Sequence, residues 1–215
     1  MTQRLHLVDF FRIYLTFFVF VIKYKVIEKF KLGEIFLRVI SGSARGKKLL
    51  STDGNDVRPT LDRVKESVFN MIAFDIPDSF VLDLFSGSGA LGIEALSRGA
   101  KQCTFVDNSI ESISVTKANL ESTHLTNESI VINSDSIDFL DKCDKKFDII
   151  FLDPPYETDL YLKSLKKIKE NSLLNDNGFI VLECDTEITP SFDFCGFEVF
   201  KEKKYGRVKI LLMKE

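Results

Sequence analysis

The 215-residue chain contains no tryptophan, only two histidines and five prolines, and its four cysteines stand far apart. With His6 and His124 alone, and no C-x-x-C pair among Cys103, Cys143, Cys184 and Cys195, the ligands for a zinc site are missing and no metal is expected. A disulfide framework does not suit a chain of this size with a core to bury. The thiols are read as reduced, as in a cytoplasmic protein. Long apolar runs are missing too. The longest uncharged one, 13–22, lies between Arg12 and Lys23, well short of the ~20 residues a helix needs to cross a bilayer. No membrane association is expected. What remains is 45% apolar and 28% charged, a globular profile that excludes a disordered or fibrous chain. The length leaves room for one domain with a small appendage, expected to be a monomer.

The net charge of −3 is unevenly spread. Residues 1–37 balance to +3 and residues 38–65 to +4, so the remainder carries −10. A face built from the early basic residues could meet an anionic partner despite the acidic total.

Residues 1–36 hold seven of the twenty phenylalanines and neither serine nor proline. No small-residue cleavage pattern follows the apolar run, and Asp9, Glu28 and Glu34 argue against a transit peptide. A signal anchor and a packed extra helix are alternatives. The preferred expectation is that 1–37 lies outside the functional domain, which would occupy 38–215. A UUG start codon read through as internal Leu37 would account for the abrupt onset at Arg38.

From Val39 onward extended and helical segments alternate. Segments 38–41 and 47–50 flank Gly42-Ser43-Ala44-Arg45-Gly46, a hairpin pattern. Arg58 precedes Pro59 and is expected to be extended. Leu61, Val64, Val68, Phe69 and Ile72 recur at helical spacing, with Thr60 as the N-cap. Short apolar runs at 81–85, 104–106, 130–132, 149–152 and 179–182 read as buried parallel strands. Helices fit near 90–98, 110–121, 136–142 and 159–170, and two more strands near 197–203 and 207–213 close the chain. This is an α/β pattern with helices on both faces of an open sheet. Ligands in such sheets bind beyond the carboxyl ends of the strands.

The first of those ends carries Asp83-Leu84-Phe85-Ser86-Gly87-Ser88-Gly89-Ala90-Leu91-Gly92. Its glycines satisfy G-x-G-x-x-G, permitting a tight turn, close ligand approach and close helix packing. A plain βα turn would look similar. Asp107 ends the second strand, twenty residues after Gly87, where an acid can accept hydrogen bonds from ribose hydroxyls. Asp135-Ser136 follows the third strand and suits an adenine edge, although Asp is also common at helix starts. Together these groups indicate an adenosine-containing cofactor, either a dinucleotide or S-adenosylmethionine. The fourth strand ends Asp153-Pro154-Pro155-Tyr156. Two prolines remove donors and leave carbonyls as acceptors. Asp153 adds a carboxylate and Tyr156 a flat ring, a site for a planar molecule bearing an amino group. Methyl transfer to a base amine uses all three; a dehydrogenase has no use for them.

Asp-Pro-Pro-Tyr resembles the signature of amino-methyltransferases acting on adenine N6, cytosine N4 or guanine N2. The flanks narrow the likeness. Arg38-Val39-Ile40-Ser41-Gly42-Ser43-Ala44-Arg45-Gly46-Lys47-Lys48-Leu49, Arg58-Pro59-Thr60-Leu61-Asp62-Arg63-Val64-Lys65-Glu66-Ser67-Val68-Phe69-Asn70, 82–100 and the closing Lys204-Tyr205-Gly206-Arg207 are similar to the RsmD family over 38–215. The chain departs from that pattern at Asp107, where members often carry Glu. The resemblance implies a Rossmann-like methyltransferase fold with a seven-stranded, mostly parallel sheet and a small N-terminal β-hairpin. It implies S-adenosylmethionine as cofactor, and guanine N2 of 16S rRNA, at guanine 966, as target. The partner would be 16S rRNA or the assembling small ribosomal subunit. By the same resemblance Asp153, Pro154 and Tyr156 are catalytic. Arg58, Thr60, Asp83, Ser86, Gly87, Gly89, Asp107, Asp135 and Ser136 hold the cofactor. Arg38, Arg45, Lys47, Lys48 and Arg63 meet RNA phosphates. A second reading is another amino-methyltransferase, on DNA adenine or a protein glutamine, which leaves the basic hairpin unexplained. A third, a nicotinamide oxidoreductase or non-catalytic nucleotide-binding module, leaves Asp-Pro-Pro-Tyr idle.

The composition break predicts that a chain starting at Leu37 folds and methylates like the full-length one. Circular dichroism and a methyl-transfer assay on the truncated protein check this, and loss of soluble, active protein would refute it.

Overall fold

Leu82, Leu84, Ile150, Leu152, Ile180 and Leu182 pack on one side of the central sheet; Val81, Ile149, Phe151, Phe179 and Val181 pack on the other. This two-residue alternation buries both faces, which is why these strands read as continuous apolar runs. The computed structural model describes residues 37–51, 59–155, 159–187 and 194–215, with backbone alone over 59–62. The N-terminal segment 1–36 lies outside the described residues.

The chain opens with an antiparallel pair, β1 (Leu37–Arg38) and β2 (Lys48–Leu49), in which Leu37 faces Leu49 and Arg38 faces Lys48. Helix α1 (Pro59–Met71) follows. Then come β3 (Phe80–Asp83), α2 (Ala90–Ser97), β4 (Gln102–Asp107), α3 (Ile110–Thr123), β5 (Ser129–Asn133), α4 (Ser136–Lys142), β6 (Phe147–Leu152), α5 (Leu160–Glu170), β7 (Leu174–Asp185), β8 (Glu198–Tyr205) and β9 (Val208–Lys214). The seven-stranded sheet has the order β5-β4-β3-β6-β7-β9-β8. Its first five strands are parallel, and β9 runs antiparallel to both neighbours. The α/β architecture and the small hairpin are as the sequence implied. The chain winds outward from β3 through β4 to β5, then returns to β6 on the other side of β3. This reversal opens a crevice at the carboxyl ends of β3 and β6.

Val64, Val68 and Phe69 of α1 with Ile72 just past its end, Ile93 and Leu96 of α2, and Leu120 of α3 cover one face; Leu140 of α4 and Leu165 and Ile168 of α5 cover the other. Among the described residues no helix is long and apolar enough to cross a membrane, and the four cysteines are free thiols.

Three expectations need correction. Helix α1 starts at Pro59, so Thr60 lies inside the first turn and is not the N-cap. Proline suits that position, because its fixed φ is already helical and its missing N–H would have no partner there. The paired parts of β1 and β2 are two residues each, shorter than the expected segments. Strand β7 begins at Leu174, five residues before the expected start at 179. Asn175-Asp176-Asn177-Gly178 reads locally as a turn, and Asn177 has φ 72°. Pairing of Leu174 with Phe147 draws the segment into the sheet, with an irregularity between Phe147 and Ile149.

The β1–β2 hairpin is held to α2 chiefly through polar contacts. The fully buried Glu94 carboxylate accepts the backbone N–H of Ile40 at 2.7 Å and of Ser41 at 3.0 Å. It also accepts Arg98 Nε at 2.8 Å and pairs with Lys65 Nζ at 3.4 Å. Ser97 Oγ accepts the Ala44 N–H and donates to the Ser41 carbonyl, while the Ser97 carbonyl accepts the Ser43 N–H. Gly42, at φ +84°, lies so close to Ser97 that a Cβ would collide with its backbone.

Removing Glu94 takes the acceptor from two backbone donors and the countercharge from buried Lys65. Glu94→Ala is expected to destabilise the protein by about 3–5 kcal/mol, the usual cost of leaving a buried ion-pair partner uncompensated. Urea unfolding measures it, and a midpoint equal to that of the unmutated chain would contradict the assignment.

Candidate active site

The glycine-rich segment leaves β3 and enters α2 through two left-handed residues, Gly87 at φ +52° and Gly89 at φ +78°. A side chain at either would strain the turn. The third glycine of the motif acts differently. A Cβ on Gly92 would run into Phe105 and Cys103, so its hydrogen lets α2 pack directly on β4.

Carboxylates shape this loop from below. Asp107, at the end of β4, accepts the Gly87 N–H through Oδ2 and the Ser109 N–H through Oδ1, both at 2.8 Å. Asp83, at the end of β3, is 2% exposed and accepts the Gly92 N–H at 2.9 Å. From the α3 side, Thr116 Oγ1 donates to the Gly87 carbonyl at 2.9 Å and Asn119 Nδ2 to the Ser88 carbonyl at 2.8 Å. The loop is therefore rigid before any ligand arrives. Part of its capacity stays unused. A Cβ on Gly87 would meet nothing within 4 Å, and the buried Ser86 Oγ has no hydrogen-bond partner. A buried hydroxyl without a partner is costly and marks a place where a ligand can complete the bonding.

Asp153 follows β6 directly, and Pro154 beside it is buried. The side chain of Asp153 reaches solvent but is crowded by protein. Burial, then the charges of Glu183 and Asp83, push its carboxyl well above the usual range. Asp83 is raised from 3.8 to about 7, mainly by burial; the Gly92 N–H opposes the rise and the Asp107 charge adds to it. Acidic groups are thus crowded where strand ends converge, and a cationic ligand bound among them would draw these carboxyls back toward their charged form.

Asp83, Ser86, Gly87, Gly89, Asp107 and Asp153 are gathered at the crevice. Asp135 is placed otherwise than a free adenine contact. Its Oδ1 caps α4, accepting the Ile137 N–H at 2.8 Å and the Asp138 N–H at 3.2 Å. Ser136 is largely buried in the first turn. Arg58, Tyr156 and the side chain of Thr60 lie outside the described residues. Arg38, Arg45, Lys47, Lys48 and Arg63 are all exposed.

Two residues escaped the sequence reading. Glu183 of β7 comes beside Asp153 because Leu182 pairs with Leu152. Its signal was an acid at the end of an apolar run, on the same strand parity as Val181. Ile110 opens α3 just past Asp107 and is 77% exposed, an apolar surface next to a polar strand end. Its signal was a large aliphatic residue at the first helical position, where polar residues are usual.

The family described as conserved hypothetical protein 95 matches residues 37–214. Ribosomal RNA small subunit methyltransferase D of Haemophilus influenzae is 39% identical over 186 residues, covering 84% of this chain and 93% of that protein. The protein of the same name in Escherichia coli K12 is 34% identical over 172 residues, covering 80% and 86%. The solved structure of yhhF from Escherichia coli superposes with a TM-score of 0.73 at 34% identity, covering 83% of this chain and 97% of that one. At 20% identity and a TM-score of 0.63, SMU.776, solved with SAH, shares the fold over 78% of this chain and 53% of its own.

The raised carboxyl of Asp83 has a consequence for stability. Its folded value, about 7, exceeds the unfolded 3.8, so the native state holds the extra proton between them. Stability from this group is full below about pH 4 and is lost as pH rises through about 7. Asp83→Asn cannot titrate and keeps an amide oxygen for the Gly92 N–H. The stability advantage of the unmutated chain over this variant is expected to shrink across that window and then level. Urea unfolding as a function of pH reads it, and a flat difference would show that Asp83 titrates normally.

Proposed function

The chain belongs to the RsmD family, described as conserved hypothetical protein 95, and from that premise we propose that it methylates ribosomal RNA of the small subunit with S-adenosylmethionine. The observation that carries the reading is the meeting of Asp153 with a preformed glycine-loop cradle at one crevice. The cradle fits the cofactor in three respects. Ser86 Oγ is buried without a partner, space is open at Gly87, and Asp107 holds a carboxylate beside Gly87. Ser86, Gly87, Gly89 and Asp107 would hold it, each Asp107 oxygen keeping a lone pair for ribose. Ile110 offers an apolar face to the base. Asp135 and Ser136 would border the adenine edge. Arg58 and Thr60 would hold the methionine end. When bound, S-adenosylmethionine supplies an electrophilic methyl on a positively charged sulfur.

The finer reading is transfer to guanine N2 in 16S rRNA, at guanine 966 by the family resemblance. The guanine amine is a poor nucleophile, because its lone pair is delocalised into the ring. Asp153 and the Pro154 carbonyl, accepting hydrogen bonds from N2, draw it toward tetrahedral geometry and stabilise positive charge as it develops. Tyr156 stacks on the extruded base, since chemistry on a base requires unstacking it. Exposed Arg38, Arg45, Lys47, Lys48 and Arg63 grip phosphates around it.

Asp153→Ala is expected to lower kcat by a factor on the order of a hundred or more, the scale of a lost preorganised electrostatic contact. Binding of cofactor and RNA changes little. Asp153→Asn retains part of the rate, because its amide oxygen still accepts. Single-turnover methylation at saturating cofactor and RNA, with mapping of N2-methylguanine in the product, tests both chemistry and base. An unmutated rate in Asp153→Ala would remove the reading's main support.

A further inference from the structure

We propose that the exposed edge of β8 and the β8–β9 turn, through Lys201 and Arg207, form a second phosphate-binding surface, which α1 joins to the β1–β2 hairpin as one RNA platform. The inference rests on the reading of RNA as substrate.

Strand β8 is the edge of the sheet and exposes Lys201, Glu202, Lys203 and Lys204; Arg207 is exposed in the following turn. Two of these cations are engaged. Lys204 pairs with Glu202 at 3.4 Å, and Lys203 donates to Ser67 Oγ at 2.8 Å. Lys201 and Arg207 enter no ion pair among the described residues, so their charge is available to an anion.

Placement decides what that anion is. Lys201 and Lys203 pair with Leu212 and Ile210, whose side chains pack on the α1 side of the sheet. Asp185 pairs with Val208, and the Thr186 N–H donates to the Arg207 carbonyl at 3.0 Å. Arg207 therefore sits beyond the carboxyl end of β7, the strand next to β6 and Asp153. Helix α1 spans the gap to the first basic hairpin. Its Ser67 hydrogen-bonds Tyr205 as well as Lys203, and its Lys65 donates to the Arg38 carbonyl at 2.6 Å. Exposed Arg63 stands on the same helix. Two basic hairpins braced on one helix, beside a crevice for a base, match a polyanionic strand that continues past the reacting nucleotide. Edge lysines also discourage strand addition, but that role does not call for Arg207, which lies in the turn.

The test uses the full chain and a 16S rRNA transcript. Lys201→Ala/Arg207→Ala spares Lys203 and its brace. We expect a several-fold higher RNA KM, unchanged kcat, and a shallower dependence of log affinity on log salt, by roughly 1.4–1.8 for two lost contacts. Lys145→Ala/Lys146→Ala removes equal charge just before β6, at the opposite end of the sheet, and is expected to change none of these. An unchanged slope in the first variant, or an equal change in the second, overturns the proposal while leaving the methyltransferase reading intact. Failure of the unmutated chain to bind and methylate the transcript overturns both.

Discussion

The buried carboxylate of Glu94 is the charge on which the arrangement of this protein turns. It has no exposure, and it converts a short, glycine-rich hairpin into a fixed part of the domain by accepting two of its backbone N–H groups. Lys65 and Arg98 supply the positive charge that makes this burial tolerable, since an unpaired carboxylate in a protein interior is strongly disfavoured. Because Lys65 belongs to α1 and Glu94 to α2, one ion pair couples the hairpin to both helices. Helix α2 itself begins at Ala90, directly after Gly89 of the loop at the crevice. The basic surface and the crevice are thus built on a shared element.

Electrostatics divide the molecule in a way that net charge hides. The crevice gathers Asp83, Asp107, Asp153 and Glu183 at neighbouring strand ends, where burial first and neighbouring acids second raise the carboxyls of Asp83 and Asp153 above their ordinary range. Exposed cations stand instead on the two hairpins and α1. An acidic floor suits a positively charged cofactor, and a basic rim suits a polyanion; uniform charge of either sign would serve only one of them. The acidic total comes wholly from the part of the chain after residue 65, since the part before it is net positive.

The loop that would cradle the cofactor is preorganised by contacts that leave its outward face unused. Carboxylates and α3 side chains take up backbone groups of the turn, while Ser86 Oγ stays unpartnered and the space at Gly87 stays open. A rigid site of this kind loses less freedom on binding than a flexible one.

Much of this was determined by the sequence alone. Alternating apolar runs and helical spacings specified the order and nature of β3 to β9 and of the helices, because each element's period states which face it buries. The three glycines, Asp107 and Asp153 could be placed at their strand ends for the same local reason, since that placement follows from the apolar run each one succeeds. Tertiary structure decided the rest. The start of β7 follows from pairing with Phe147 against the local turn preference of Asn175 to Gly178. Asp135 proved to cap its own helix, a choice between two local partners that spacing leaves open. Glu183 became a neighbour of Asp153, and Ser67 of Lys203 and Tyr205, only through strand order and helix packing. A one-dimensional pattern reports faces and turns. Which carboxylates share a floor and which cations share a rim depends on contacts between residues up to 138 positions apart, and those exist only once the sheet is assembled.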